Sequence, residues 1–89
     1  MYTPAFVEYL GTSLLIASFT FTSSPIFVVA ALAIAIGLGG KISGGHFNPA
    51  ITAWALASGK LSKAKALSYV IAQIAAALTI WVAGSMIKV

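Results

Sequence analysis

Between Glu8 and Lys41 the chain carries no charged side chain, and that uncharged stretch constrains the fold more than any other feature. A hydrocarbon core near 30 Å takes about 20 mostly apolar residues per helix. Residues 5–22 supply a first span, with Glu8 near its start, and residues 26–40 a second. Thr22-Ser23-Ser24-Pro25 between them reads as a turn, with a serine cap and a proline suited to the first helical position. So short a connection makes the two helices antiparallel neighbours. After a polar patch at residues 59–65, residues 66–87 form a third span. Composition agrees: 61% of residues are hydrophobic, 7% are charged and the mean hydropathy is +1.06. Soluble domains carry roughly 25% charged residues. The predicted class is an all-α membrane protein, one unit over residues 1–89, with the bilayer as its solvent.

Several function classes fall away at this point. Five lysines against Glu8 give a net charge of +4, but there is no arginine and no lysine run, so a nucleic-acid surface is not expected. No cysteine is present, which excludes disulfides, thiolate metal sites and cysteine nucleophiles. One acid and one histidine are too few for an acid, a base and a nucleophile, so no enzyme and no cofactor are predicted. His46 has no second histidine and no nearby acid in sequence, and reads as a hydrogen-bonding residue rather than a metal ligand. No lysine precedes Lys41, so the first span lacks the basic flank of a cleaved signal and is expected to stay.

The segment at residues 41–59 decides the topology. It begins without helical signals and ends with them: Asn48 is a favoured N-cap, Pro49 suits the first helical position and Gly59 the C-terminal cap. A helix over residues 49–58 would reach roughly 15 Å at 1.5 Å per residue, about half the core. If the segment dips in and returns, Lys41, Lys60, Lys63 and Lys65 share one face with the N-terminus, and Lys88 lies on the other. The positive-inside rule then predicts a cytoplasmic N-terminus and a re-entrant half-helix.

Irregular backbone at membrane depth survives only inside protein or along a watery cavity. Residues 44–47 are such backbone, and Gly44 and Gly45 let successive carbonyls turn toward a lumen as a ladder of acceptors. Asn48 follows, with amide donors at the positive end of the half-helix dipole. Cations meet a barrier there, whereas a neutral solute exchanges hydrogen bonds along the ladder.

The run Lys41-Ile42-Ser43-Gly44-Gly45-His46-Phe47-Asn48-Pro49-Ala50-Ile51-Thr52 resembles the first Asn-Pro-Ala loop of the aquaporins, the major intrinsic protein family. Glu8-Tyr9-Leu10-Gly11-Thr12 is similar to the family's first helix and Tyr69-Val70-Ile71-Ala72-Gln73 to its third. The resemblance implies that Asn48 is the pore donor, with Pro49 and Ala50 locking its cap. It implies that the carbonyls of Gly44, Gly45, His46 and Phe47 line the lumen, and that Glu8 and Gln73 brace the loop from within. The second-helix position that is aromatic in the family's narrow filter aligns with Val28. Family members contain two inverted halves, each with its own Asn-Pro-Ala half-helix, and these residues match the first.

Two functions fit. One is a half-unit of a channel for water or a small neutral solute such as glycerol; the other is a non-conducting membrane assembly subunit or a degenerate aquaporin-like product. For the channel, the expected partner is an opposite-orientation second half, with antiparallel self-association as the alternative. Ser68, Ala72 and Ala76 form a small-residue stripe suited to helix packing, while Trp54 and Trp81 are assigned no role beyond packing.

Overall fold

The computed structural model describes residues 2–87. They form four helices, α1 (Thr3–Phe21), α2 (Pro25–Ser43), α3 (Pro49–Ala57) and α4 (Lys63–Ile87). The helices α1, α2 and α4 are long and apolar enough to cross a membrane. The nine residues of α3 reach only about 14 Å. Lys88 lies outside the described residues.

Two helix boundaries differ from the sequence reading by three residues, each for a local reason, and the others by no more than two. Helix α2 runs three residues further, to Ser43. The backbone turns left-handed only at Gly44 (φ 91°), whose N–H closes on the Gly40 carbonyl at 2.8 Å. Helix α4 begins at Lys63 because Ser62 caps it, its hydroxyl accepting the Lys65 N–H at 3.2 Å and its carbonyl the Ala66 N–H at 2.9 Å. For α3 the cap residues act where the sequence puts them. Asn48 Oδ1 accepts the Ala50 N–H at 2.8 Å, and Gly59 (φ 75°) closes the far end with Lys60 N–H on the Ala55 carbonyl.

Cross-helix pairs fix the directions. Glu8 of α1 meets Ser43 at the end of α2, while Phe21 and Phe27 border one groove near the opposite end, so α1 and α2 are antiparallel. Glu8 also meets Gln73 of α4, and further along Thr20 approaches Gly84, so α1 and α4 run parallel. The start of α1, the end of α2 and the start of α4 therefore share one end of the bundle, where Lys41, Lys60, Lys63 and Lys65 gather. Helix α1 packs against both α2 and α4, and α3 packs against α4.

The interior is small and polar and the exterior large and apolar, the reverse of a water-soluble domain. Ala31, Ala35, Ala55, Ala66 and Ala76 are buried together with Glu8, Thr12, Thr52 and Gln73. Leu38 and Met86 are each 79% exposed and Ile26 is 77% exposed. Lipid is as apolar as leucine, so helices associate through close backbone approach and internal hydrogen bonds.

Phe47 and Tyr69 are the large exceptions, and Phe47 is only 2% exposed. Its ring lies against Gly11 of α1, where a Cβ would overlap it. Gly11→Ala is accordingly expected to cost about 1–3 kcal/mol by overpacking. Gly37→Ala, with nothing within 4 Å of the added carbon, should cost nothing measurable. Unfolding midpoints of the two variants in mixed detergent micelles check this, and equal midpoints would contradict the role of Gly11.

Candidate functional site

Glu8 sits two turns into α1 with 0% exposure, and its carboxylate is surrounded by donors from three parts of the chain. Oε2 accepts Ser43 Oγ–H at 2.8 Å and the His46 N–H at 3.0 Å; Oε1 accepts the Phe47 N–H at 2.7 Å and Gln73 Nε2–H at 2.9 Å. The end of α2, the loop after it and the middle of α4 thus meet on one side chain.

From Gln73 the hydrogen bonds continue. Nε2 also donates to Thr52 Oγ1 at 2.9 Å, and Thr52 Oγ1 lies 2.9 Å from His46 Nδ1. The edge of the His46 ring rests on Tyr69, 5.1 Å between centroids. The Tyr69 hydroxyl donates to the Ser43 carbonyl, the last of α2. Gln73 Oε1 stays buried without a partner among the described residues. A flip of the amide would turn that oxygen against Glu8 Oε1, so the observed orientation is the one the carboxylate permits.

Residues 44–47 are bonded on one side. The N–H of Gly44 goes to Gly40, that of Gly45 to Ser43 Oγ at 3.1 Å, and those of His46 and Phe47 to Glu8. Among the described residues, no group donates to the carbonyls of Gly44, Gly45, His46 or Phe47. A trans peptide sets N–H and the preceding C=O in opposite directions. Inward N–H groups at residues 45–47 therefore turn the carbonyls of Gly44, Gly45 and His46 away from their own bonding partners. Positive φ at Gly44, Gly45 (67°) and Phe47 (54°) makes that arrangement possible.

Asn48 is exposed, and its side-chain oxygen is taken by the α3 cap. The amide nitrogen keeps both N–H groups free among the described residues. Pro49 and Ala50 are exposed beside it. The structure thus gathers Glu8, Gly44, Gly45, His46, Phe47, Asn48, Pro49, Ala50 and Gln73 into one region. Val28 stands apart, half-buried in the first turn of α2 and about 22 Å along that helix from Ser43 at 1.5 Å per residue.

Three contributors are absent from the sequence reading. Ser43 had been part of the motif without a role, yet its hydroxyl bridges Glu8 and Gly45. Thr52 links α3 to both His46 and Gln73, and its place one turn after Asn48 was the available signal. Gly11, one turn beyond Glu8, gives space to the Phe47 ring.

Glu8→Gln tests the centre of this network. An amide nitrogen in the place of Oε2 would face the His46 N–H, and in the place of Oε1 would face the Phe47 N–H and Gln73. Either way a buried donor loses its acceptor, at a cost of about 1–3 kcal/mol. Hydrogen exchange at the His46 and Phe47 amides should accelerate by at least about tenfold, since 1.4 kcal/mol is one factor of ten; unchanged exchange would show that the loop is held by other contacts.

Residues 5–87 match the family model for major intrinsic protein. The chain is 39% identical over 82 residues to glycerol uptake facilitator protein-like 6 of Lactiplantibacillus plantarum, a match that covers 80% of this chain and 37% of the relative. It is 50% identical over 44 residues to aquaporin TIP1-2 of Zea mays, covering 49% of this chain and 17% of the relative. A probable aquaporin of TIP type from Medicago truncatula is 39% identical over 62 residues, 64% of this chain and 25% of that one. The matches thus cover well under half the length of each relative. No solved structure gives a significant match. Three apolar helices with a capped half-length helix packed on the last of them, matched to one family along almost their whole described length, make this chain an integral membrane protein that belongs to the major intrinsic protein family.

Proposed function

We propose that this chain forms one half of a channel for water or a small neutral solute such as glycerol, with residues 44–48 as its share of the pore wall. The observation that carries the reading is the one-sided bonding of the loop. The N–H groups of residues 44–47 are all engaged within the chain, while their four carbonyls take no donor among the described residues. Such carbonyls need hydrogen-bond donors at membrane depth, and water or a polyol hydroxyl supplies them. Asn48 adds free donors at the positive end of the α3 dipole, where a cation is repelled. Pro49 and Ala50 fix that end of α3. Val28, farther along α2, is the proposed second constriction, and an aliphatic side chain there favours a wider passage than an aromatic one. The names of the relatives, a glycerol uptake facilitator and aquaporins, point to the same solute class.

Residues 1–89 form a single half-repeat in this reading, with α3 re-entrant. The parallel course of α1 and α4 supports it, because the end of α2 and the start of α4 then belong to one membrane face. Four lysines at that end make it the cytoplasmic one, together with the N-terminus. Glu8 and Gln73 serve as internal braces. A helix of about 14 Å leaves the other half of the core uncovered. An opposite-orientation second half is the partner that completes the wall, as in inverted-repeat transporters. An antiparallel pair of copies is the alternative, and the lysine bias opposes it.

Osmotic swelling of proteoliposomes tests the proposal with the chain alone and with the chain paired with the remaining part of the Lactiplantibacillus plantarum relative. Flux in the pair only is the expected result. Flux from the chain alone would favour antiparallel self-association, and none in either would leave a non-conducting membrane subunit. In the conducting assembly, Asn48→Asp should raise cation leak at least about tenfold, because a negative acceptor replaces the amide donor. A normally expressed variant with an unchanged leak would remove Asn48 from the pore. For the topology, an impermeant thiol reagent should not reach Lys60→Cys from outside intact cells; labelling from outside would overturn re-entry.

A further inference from the structure

The outer crevice between α1 and α4 takes no part in the site above, and it forms an open groove with a lysine at one end. At the lysine-bearing end lies a groove of about 230 Å³ bordered by Tyr2, Lys65 and Ser68. A second, of about 360 Å³, shares Tyr2 and Ser68 and runs on past Ala5, Tyr9 and Ala72. The joint crevice extends about 10 Å along the helices at 1.5 Å per residue, from the level of Lys65 into the apolar span.

Two of its three hydroxyls are already engaged within the protein, and the third, on Tyr2 at the lysine-bearing end, has no partner among the described residues. The Ser68 hydroxyl turns back onto the Lys65 carbonyl at 2.7 Å, and the Tyr9 hydroxyl donates to Thr79 at 2.9 Å. Beyond Lys65 and the Tyr2 hydroxyl the crevice therefore offers carbon surface. The other lysines at this end are placed differently. Lys60 sits over the Trp54 ring at 5.1 Å, Lys41 belongs to the last turn of α2, and Lys63 is not among the groove-lining residues. The crevice thus pairs an apolar channel with a cation at its mouth, and it lies in a protein whose solvent is lipid.

We infer that the crevice holds one anionic phospholipid, its phosphate at Lys65 and the upper part of an acyl chain along Tyr9 and Ala72. The charge complementarity selects an anionic headgroup over a zwitterionic one, whose own ammonium offsets the attraction. Along the groove the engaged Ser68 and Tyr9 hydroxyls select a hydrocarbon chain over a polar ligand. This inference rests on membrane residence and is independent of whether the chain conducts.

Native mass spectrometry of the purified full chain, released from detergent and titrated with phosphatidylglycerol or phosphatidylcholine of equal chain length, tests it. Phosphatidylglycerol should bind about fivefold more tightly, the effect of one lysine close to an anionic lipid. Lys65→Gln should remove that preference, while Lys41→Gln should leave it. Ala72→Leu, which fills the crevice, should weaken both lipids, and Ala5→Leu serves the same purpose if Ala72→Leu fails to fold. Inorganic phosphate should not compete. Equal affinity for the two lipids, an equal loss with Lys41→Gln, or competition by inorganic phosphate would overturn the assignment. So would a groove-filling variant that leaves lipid binding intact but abolishes a dimer, since a second copy would then be the occupant.

Discussion

The acceptance of four hydrogen bonds by the Glu8 carboxylate holds this structure in register. Its donors come from the end of α2, the loop and α4, and none of them is a cation. An ion removed from water in a membrane carries a large desolvation cost, which only well-placed dipoles or charges offset. The cost runs in the other direction as well. The His46 and Phe47 N–H groups, left without Glu8, would each be an unpaired donor costing several kcal/mol in hydrocarbon. Each side of the interaction is untenable alone, so the charge and the irregular backbone occur together. The left-handed conformation of Phe47, worth about 1–2 kcal/mol of strain for an L-residue, is held by its N–H bond and its buried ring at once.

Helix packing provides the frame in which that carboxylate can be reached. The buried residues of α2 are Ala31, Ala35, Gly39 and Ser43, every fourth position, so one narrow stripe of small residues lies along the helix. The stripe lets α1 and α2 approach closely, and in lipid that approach is the available source of cohesion. Where the helix ends after Ser43, the same face is continued by the ring of Phe47, lodged at Gly11. The buried residues of α1 are Glu8, Gly11 and Thr12, so a single helical turn and a half receives the loop. Stability of the loop and of the α1–α2 pair are therefore coupled through one glycine.

The sequence made the helices legible because hydropathy and capping act locally. The run without charge between Glu8 and Lys41 and the Asn48-Pro49 signal each depend on neighbouring residues alone. The end of α2 was harder to read. Gly39-Gly40 look like a helix stop, but glycine stops a helix only when it turns left-handed, and the bonds of Ser43 and Gly44 determine where that happens. Within the site, Glu8 and Gln73 stand out because ionisable and amide side chains inside a span require a partner. Ser43 and Thr52 do not stand out. Their hydroxyls are compatible with bonding to their own helix, and nothing local announces that Ser43 will meet a carboxyl 35 residues away or Thr52 an amide 21 residues away. Gly11 is equally silent, since its value is the absence of an atom that would meet Phe47.

A buried negative charge beside a proposed passage for neutral solutes raises the question of how cations are kept out. The peptide geometry supplies the first part of the answer. Because N–H and the preceding C=O point in opposite directions, the dipoles that turn their positive ends to Glu8 turn their negative ends outward at Gly44, Gly45 and His46. The carboxylate is thereby surrounded by positive dipole ends, and its field beyond the loop is reduced, while the row of acceptors arises as a geometric consequence of bracing. Carbonyls alone would still attract a cation. The opposing element must stand at the end of the row, and the chain places there the N-terminus of α3, with its positive dipole end, and the free amide N–H groups of Asn48. The residue that caps the helix with its oxygen is thus the one whose nitrogen is left free for the proposed solute, since an Asn cap consumes only half of its amide. An aspartate would cap equally well, but it would have no donor to leave over, and the proposed cation barrier would fall with it.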